Sequence, residues 1–169
     1  MKIRLFICLL ALLAMACNGR KEPISTKKLY ELEAQHKNTP DDTALSRKLS
    51  EAFLELAQYN KSDSLSPHRW FKSALLQRSI PGKELKALRL LELWKKQYPN
   101  HALLVEVMFA EAFTWDEFVG NMEEAREAYT ALINAFPDHP LSAVAEELLS
   151  ISYSDEELME ILKKSPKSN

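Results

Sequence analysis

Apolar residues recur along most of this chain with helical spacing, and prolines, glycines and short polar runs separate the segments in which they recur. The β-branched runs of period two that mark strands are missing from the sequence. The short loops favour antiparallel neighbours, so the expected fold class is all-α. The predicted helices are Thr26 to Lys37, Asp42 to Tyr59, Pro67 to Ile80, Lys83 to Gln97, His101 to about Trp115, Met122 to Ala135, Leu141 to Ser150 and Asp155 to Lys164.

The chain also resembles itself at an offset of 38 residues. The pairs at this offset are Phe71 with Phe109, Gly82 with Gly120, Ala87 with Ala125, Leu91 with Tyr129, Trp94 with Leu132, Pro99 with Pro137 and His101 with His139. We expect the two alanines to lie where paired helices approach most closely and the larger residues to fill the space between layers. A third, degenerate copy is predicted upstream, around Leu49 and Phe53.

These positions resemble the tetratricopeptide repeat. Ala125 occupies its small position in the second helix, Tyr129 its aromatic position and Pro137 its closing proline, although the period is longer than the usual 34 residues. The segment Ala112 to Asn121 and the final capping-box helix from Ser154 are similar to those of tetratricopeptide lipoproteins of the Bacteroidetes type. The likeness covers most of residues 40–164. A more distant likeness is to the repeat lipoproteins of the outer-membrane β-barrel assembly machinery.

The resemblance implies stacked antiparallel helical hairpins, a tetratricopeptide-like α-solenoid, which presents a concave groove to a protein or peptide partner. Carried over position by position, the groove residues are Arg69, Lys72, Leu76, Val107, Ala110, Thr114 and Glu117. Trp115 and Phe118, in the predicted loop before Gly120, are either a second contact surface or packing residues of the adjacent hairpin. The resembled proteins are scaffolds, so no catalytic residue is carried over.

The N-terminus has the pattern of a bacterial lipoprotein leader. Lys2 and Arg4 precede an apolar run of about 12 residues, which is too short to span a bilayer. Ala14-Met15-Ala16-Cys17 resembles a lipobox, with alanine in place of the usual leucine three residues before the cysteine. We expect cleavage before Cys17 and acylation there, whereas the alternative is an ordinary secretory peptide that leaves Cys17 free or removes it.

The predicted organisation follows from these features. Residues 1–16 form the signal peptide, 17–25 a lipid-anchored tether, 26–165 the helical repeat domain and 166–169 a disordered tail. The few acidic residues after Cys17 are a poor match to a surface-export signal. The expected location is therefore the outer membrane, with the protein facing the periplasm.

Composition excludes several classes of chemistry. The formal net charge is −2 at pH 7, so the chain lacks the basic excess that nucleic-acid binding needs. The three glycines form no phosphate loop, and with Cys8 in the leader no disulfide within the mature chain is possible. The four histidines, His36, His68, His101 and His139, lack the spacing of a helical metal site. We expect no cofactor, no metal and no enzyme activity.

The sequence leaves three roles open. The first is a lipid-anchored adaptor that binds protein partners in outer-membrane assembly or transport. The second is a structural subunit of a larger envelope complex with no ligand in the groove, and the third is an enzyme accessory. Neither the partner nor the pathway follows from the residues.

Overall fold

The computed structural model describes residues 23–152. The predicted leader at 1–16, the lipidation residue Cys17, most of the tether, the helix predicted at 155–164 and the tail at 166–169 lie outside the described residues. Within the described part the chain is all helical and contains no strand, which confirms the predicted class. Its helices are α1 Thr26–Asn38, α2 Thr43–Tyr59, α3 Ser66–Arg78, α4 Glu84–Gln97, α5 Leu104–Phe113, a π-helix Thr114–Val119, α6 Met122–Ala135 and α7 Pro140–Ser152.

Side-chain caps fix where several helices begin. Ser25 accepts a hydrogen bond from the Lys28 N–H at the start of α1. Asp42 accepts from two backbone N–H groups at the start of α2, each at 2.9 Å, and Asn121 caps α6 in the same way. These polar side chains satisfy N–H groups that have no partner within the helix. The punctuation in the sequence therefore coincides with the helix boundaries for a physical reason.

Each helix packs on the next one along the chain, an arrangement consistent with an α-solenoid. The α3–α4 pair is antiparallel, because the Trp70 indole donates to the Leu90 carbonyl at 3.0 Å while the Trp94 indole donates to the Pro67 carbonyl at 2.8 Å. Helices α2 and α3 also run antiparallel, since Lys72 lies over Phe53 while Gln77, further along α3, donates to Ser50, which comes earlier in α2. We call α1 with α2, α3 with α4, and α5 with α6 the three helical pairs.

Three buried clusters form the core. One joins α1 to α2, one joins α2, α3, α4 and α5, and one joins α5, α6 and α7. The residues predicted from the internal repeat to be core are buried: Ala87, Ala125, Leu91, Tyr129, Trp94 and Leu132. Phe71 and Phe109 are partly buried and pack against the clusters. The small alanines and large neighbours thus occupy the interior as the 38-residue pattern predicts.

The turns between helical pairs repeat the same hydrogen bonds at the same offset. At each turn a backbone N–H donates to the carbonyl four residues before it: Asn60 to Leu56, Tyr98 to Trp94 and Phe136 to Leu132. Three residues after this donor, a side chain accepts a hydrogen bond from the backbone N–H two positions further along the chain. Asp63 accepts from Leu65 at 3.0 Å, His101 from Leu103 at 3.1 Å and His139 from Leu141 at 3.1 Å. The repeat is therefore present in the backbone as well as in the side chains.

Candidate functional site

The candidate site is an open cleft between α1 and α3, with a volume of ≈ 470 Å³. The lining residues are Glu33, His36, Lys37, Leu49, Phe53, Lys72, Leu75, Leu76, Arg78 and Ser79. Helices α1 and α3 supply the walls and α2 supplies part of the floor. The volume lies within the range of small-ligand and side-chain-binding pockets.

The floor of the cleft is apolar because its residues also belong to the core. Leu49 and Phe53 of α2 are buried and pack in the α1–α2 cluster, and Leu76 of α3 packs against the same cluster. Leu49 and Phe53 are four residues apart on one helix, which puts both side chains on the same face. The face of α2 that packs in the α1–α2 cluster therefore also forms part of the floor of the cleft.

An ion pair crosses the cleft from one wall to the other. Lys72 of α3 donates to Glu33 of α1 at 3.0 Å, and the Lys72 ammonium lies 5.0 Å from the centre of the Phe53 ring. The lysine side chain is 56% exposed, so the pair is well hydrated and contributes little to stability. Its polar atoms remain accessible from the cleft.

Arg78 closes one end of the cleft. Its guanidinium carbon lies 4.9 Å from the centre of the Phe118 ring and 5.6 Å from that of Phe113. The Arg78 Nε is buried and has no hydrogen-bond partner within the described residues. Burial lowers the pKa of this guanidinium from its usual value, but arginine stays charged in proteins. The cleft thus ends in a cation that aromatic rings from the next helical pair hold in place.

The π-helix is what brings Phe118 to Arg78. The equivalent stretch after α3 contains Pro81, which cannot continue a helix, whereas the second copy has Val119 at that position and remains helical up to Gly120. Gly120 has a φ of 71°, and Gly82 at the equivalent position has 76°. The loop predicted here from the sequence is wrong, because residues Thr114–Val119 are helical. In the sequence, Gly120 indicates where the helix ends, but no residue indicates that the hydrogen-bonding pattern changes from α to π.

The residues predicted to line a groove fall into four groups. Lys72 and Leu76 do line the cleft, and Glu117 is exposed on the π-helix. Arg69 lies near the start of α3, where it pairs with Asp63 of the preceding turn rather than with the cleft. The prediction is wrong for Val107, Ala110 and Thr114, which are buried. Val107 and Ala110 pack in the core that joins α2 to α5, and Thr114 donates to the Ala110 carbonyl.

Trp115 and Phe118 have different environments. Trp115 is partly buried and packs against the α5–α7 cluster. Phe118 is 39% exposed, and its ring contacts Phe113 as well as Arg78. Sequence reasoning missed Arg78, because the rings that hold it belong to the next helical pair and no local pattern connects them.

Histidines and carboxylates in the described part do not gather into a cluster of three or more that could hold a metal ion. His36 forms a hydrogen bond with Ser46 at 3.0 Å, which links α1 to α2. His101 and His139 accept backbone hydrogen bonds in the turns, and His68 lies edge-on to His101. Each of the four histidine rings therefore has a contact within the fold, either a hydrogen bond or an edge-on contact with another ring.

Comparison of the chain with protein-family models, with curated proteins and with solved structures found no match. Within residues 23–152, no helix has both the length and the apolar character needed to cross a bilayer. The candidate site therefore stands on its own geometry.

Proposed function

We propose that this protein is a lipid-anchored scaffold or adaptor of the bacterial envelope, which binds protein partners through tetratricopeptide-like helical repeats. On this proposal it works by binding and not by catalysis, and it serves outer-membrane assembly or transport. The observation that carries the proposal is the cleft between α1 and α3, where an apolar floor, a bridging ion pair and a ring-held arginine meet on one open face. Such a combination suits a peptide segment, which offers side chains and backbone groups together.

The repeated turns support the tetratricopeptide-like part of the proposal. Side-chain acceptors recur in the turns at Asp63, His101 and His139, and buried small residues recur at Ala87 and Ala125. Stacked repeats of this kind share a continuous core and leave one face free for binding. The cleft lies on the face formed by the first helices of two successive pairs, α1 and α3.

The envelope location in this proposal rests on the lipobox-like Ala14 to Cys17. The described chain begins just before Ser25, at the start of α1, while Arg78 and the end of α1 lie at the opposite end of that helix. A helix of 13 residues is about 20 Å long. On this proposal the anchor at Cys17 precedes the N-terminal end of α1, and the basic end of the cleft lies at the C-terminal end of that helix.

The test is in-cell chemical crosslinking of the tagged, full-length protein, followed by mass spectrometry. We compare wild type with Lys72→Glu, which places two carboxylates across the cleft, and with Lys48→Glu, which changes the same charge on the exposed side of α2. The proposal expects one protein to be captured by wild type and by Lys48→Glu and to be lost from Lys72→Glu, with circular dichroism unchanged. Equal capture by all three variants would contradict it.

A structural subunit of a larger envelope complex is the second candidate. It is favoured by the exposed apolar residues Phe118 and Val119, which lie together on the π-helix. This role expects Phe118→Ser with Val119→Ser to abolish assembly, whereas Lys72→Glu leaves it intact. Size-exclusion chromatography of the complex extracted in detergent separates the two roles.

A further inference from the structure

We propose that Arg78 is the residue of this cleft that recognises anions, and that the cleft binds a peptide segment in which an apolar side chain is followed closely by a carboxylate. This inference rests on the proposed function and specifies the chemistry of the partner. The apolar side chain lies on the floor formed by Leu49 and Phe53, and the carboxylate meets Arg78.

Arg78 differs from the other charged residues of the cleft in its partners. The Glu33 carboxylate already engages Lys72. Arg78 has no carboxylate within ion-pair distance among the described residues, and its Nε is buried without an acceptor. A guanidinium forms charge-assisted hydrogen bonds with a carboxylate, so a ligand carboxylate in the cleft would give the charge of Arg78 an ion-pair partner.

The distribution of charge favours an anionic ligand. Three of the lining residues, Lys37, Lys72 and Arg78, are basic, and one, Glu33, is acidic. Because the Glu33–Lys72 pair is neutral as a whole, the excess positive charge belongs to Lys37 and Arg78. Both residues lie in the last turns of their helices, α1 and α3, where they offset the negative end of each helix dipole. A carboxylate at this end is attracted by both cations.

The polar bridge favours a peptide over a lipid. A lipid chain needs a continuous apolar channel, whereas Glu33 and Lys72 place a charged acceptor and a charged donor across the end of the cleft opposite Arg78. Backbone N–H and C=O groups of a bound segment pair with such atoms. The side chains of Leu75 and Leu76 then contact the apolar residue of the ligand.

Phe118 is a positioning residue for this recognition. It lies outside the cleft, on the π-helix of the next pair, and its ring is 4.9 Å from the Arg78 guanidinium carbon. Removing the ring frees the guanidinium to turn towards solvent and substitutes no residue that lines the cleft. The arrangement therefore makes binding in one helical pair depend on a segment of the next.

The experiment is fluorescence anisotropy with the full-length, detergent-solubilised protein and three labelled decapeptides. The first peptide has two leucines followed by two glutamates, the second replaces the glutamates with glutamine, and the third replaces the leucines with serine. We expect the first to bind at least tenfold more tightly than either control. Its affinity should fall as sodium chloride is raised, because a charged contact is screened by salt.

The variants are Arg78→Gln, Arg78→Lys, Phe118→Ala and the matched control Arg47→Gln, which removes the same charge from an exposed position of α2 outside the cleft. We expect Arg78→Gln to weaken the first peptide at least tenfold and to leave the glutamine peptide unchanged. Arg78→Lys should recover part of the loss, Phe118→Ala should weaken binding severalfold, and Arg47→Gln should have no effect. Thermal unfolding of each variant by circular dichroism separates lost binding from lost fold.

Three results would overturn the inference. The first is equal binding of the acidic and glutamine peptides, and the second is an equal loss of affinity for the acidic peptide in Arg47→Gln and Arg78→Gln. The third is binding of anionic vesicles that depends on Arg78, with none of the peptides bound. If no decapeptide binds but crosslinking still captures a protein that Lys72→Glu loses, the ligand chemistry is wrong and the proposed function stands. If both experiments fail, the proposed function fails with it.

Discussion

Several polar side chains buried between the described helices have specific hydrogen-bond partners. Trp94 is fully buried, yet its indole N–H reaches the Pro67 carbonyl at 2.8 Å. Ser50, Ser73 and Gln77 are also buried and satisfy one another across the α2–α3 contact, at 2.8 to 3.0 Å. Burying such groups without partners would cost free energy. The interior therefore depends on specific pairs as well as on apolar area.

Trp94 is the largest fully buried side chain in the described part of the chain. We expect Trp94→Ala to lower the free energy of unfolding by about 3–5 kcal/mol, because it opens a cavity and removes an indole hydrogen bond. Phe109→Ala should cost less, since Phe109 is only partly buried. Urea unfolding of the two variants measures the difference, and equal losses would mean that burial has been misassigned.

Two tyrosines form a matched pair. The Tyr98 hydroxyl is buried without a partner in the described part, whereas the Tyr129 hydroxyl donates to Asp116 at 3.3 Å. Burial raises the pKa of both phenols. We expect Tyr98→Phe to leave the free energy of unfolding unchanged or to raise it, and Tyr129→Phe to lower it by about 0.5–1.5 kcal/mol. The reverse order in urea titrations would contradict this assignment of partners.

At the scale of the element, the ends of helices decide where side chains arrive. Gly82 and Gly120 occupy equivalent positions and share a left-handed backbone, but Pro81 ends one segment while Val119 lets the other continue as a π-helix. The continued helix brings Phe118 to Arg78. The Arg78 guanidinium at the basic end of the cleft is therefore positioned by the segment in which the two copies differ.

The left-handed backbone at Gly120 gives a direct test of this element. A Cβ at Gly120 would meet no atom within 4 Å, so only backbone strain opposes an alanine. We expect Gly120→Ala to lower the free energy of unfolding by about 1–2 kcal/mol, and Gly120→Asn to lower it less, because asparagine tolerates this conformation. Equal effects of the two substitutions in urea titrations would contradict a left-handed residue at this position.

The first repeated turn predicts a pH dependence. The Leu65 N–H and then the Arg69 side chain hold the pKa of Asp63 below its usual value. Its stabilising effect is therefore present above the unfolded-state pKa of about 4 and is lost as the pH falls through the lower folded value. We expect Asp63→Asn to lower the urea midpoint at pH 7 and to converge with wild type once the pH has fallen through the lowered pKa of Asp63. Asp41→Asn, in the exposed α1–α2 loop, is the control, and an unchanged midpoint at pH 7 in Asp63→Asn would contradict the prediction.

Patterns within one helix predicted much of this structure, and contacts between helices were harder to foresee. Helical spacing and punctuation placed the helices, and the 38-residue repeat placed Ala87, Ala125 and Trp94 in the core. The groove prediction missed the burial of Val107 and Ala110, because α5 lies among the helices of the central cluster instead of at an open edge. Arg78 was missed because its aromatic neighbours come from another helical pair.

On the scale of the whole molecule, the repeated turns place equivalent helices side by side. The described helices contact mainly their neighbours along the chain, so each helical pair depends on the next for its core. The cleft takes its residues from several helices. Part of its floor comes from α2 and its walls come from α1 and α3. Its terminal cation, the Arg78 guanidinium, lies against a ring of the π-helix. A partner bound there would sense more than one pair at once.

The most direct test of a partner-binding cleft is site-specific photo-crosslinking in intact cells. A photoreactive amino acid is placed at Ser79, an exposed residue that lines the cleft, at Gln58, an exposed residue of α2 outside it, or at Phe118 on the π-helix. We predict that one protein crosslinks from Ser79, is not captured from Gln58, and is lost when Lys72→Glu is added. Equal crosslinking from Ser79 and Gln58, or crosslinking from Phe118 alone, would contradict a cleft that binds the partner.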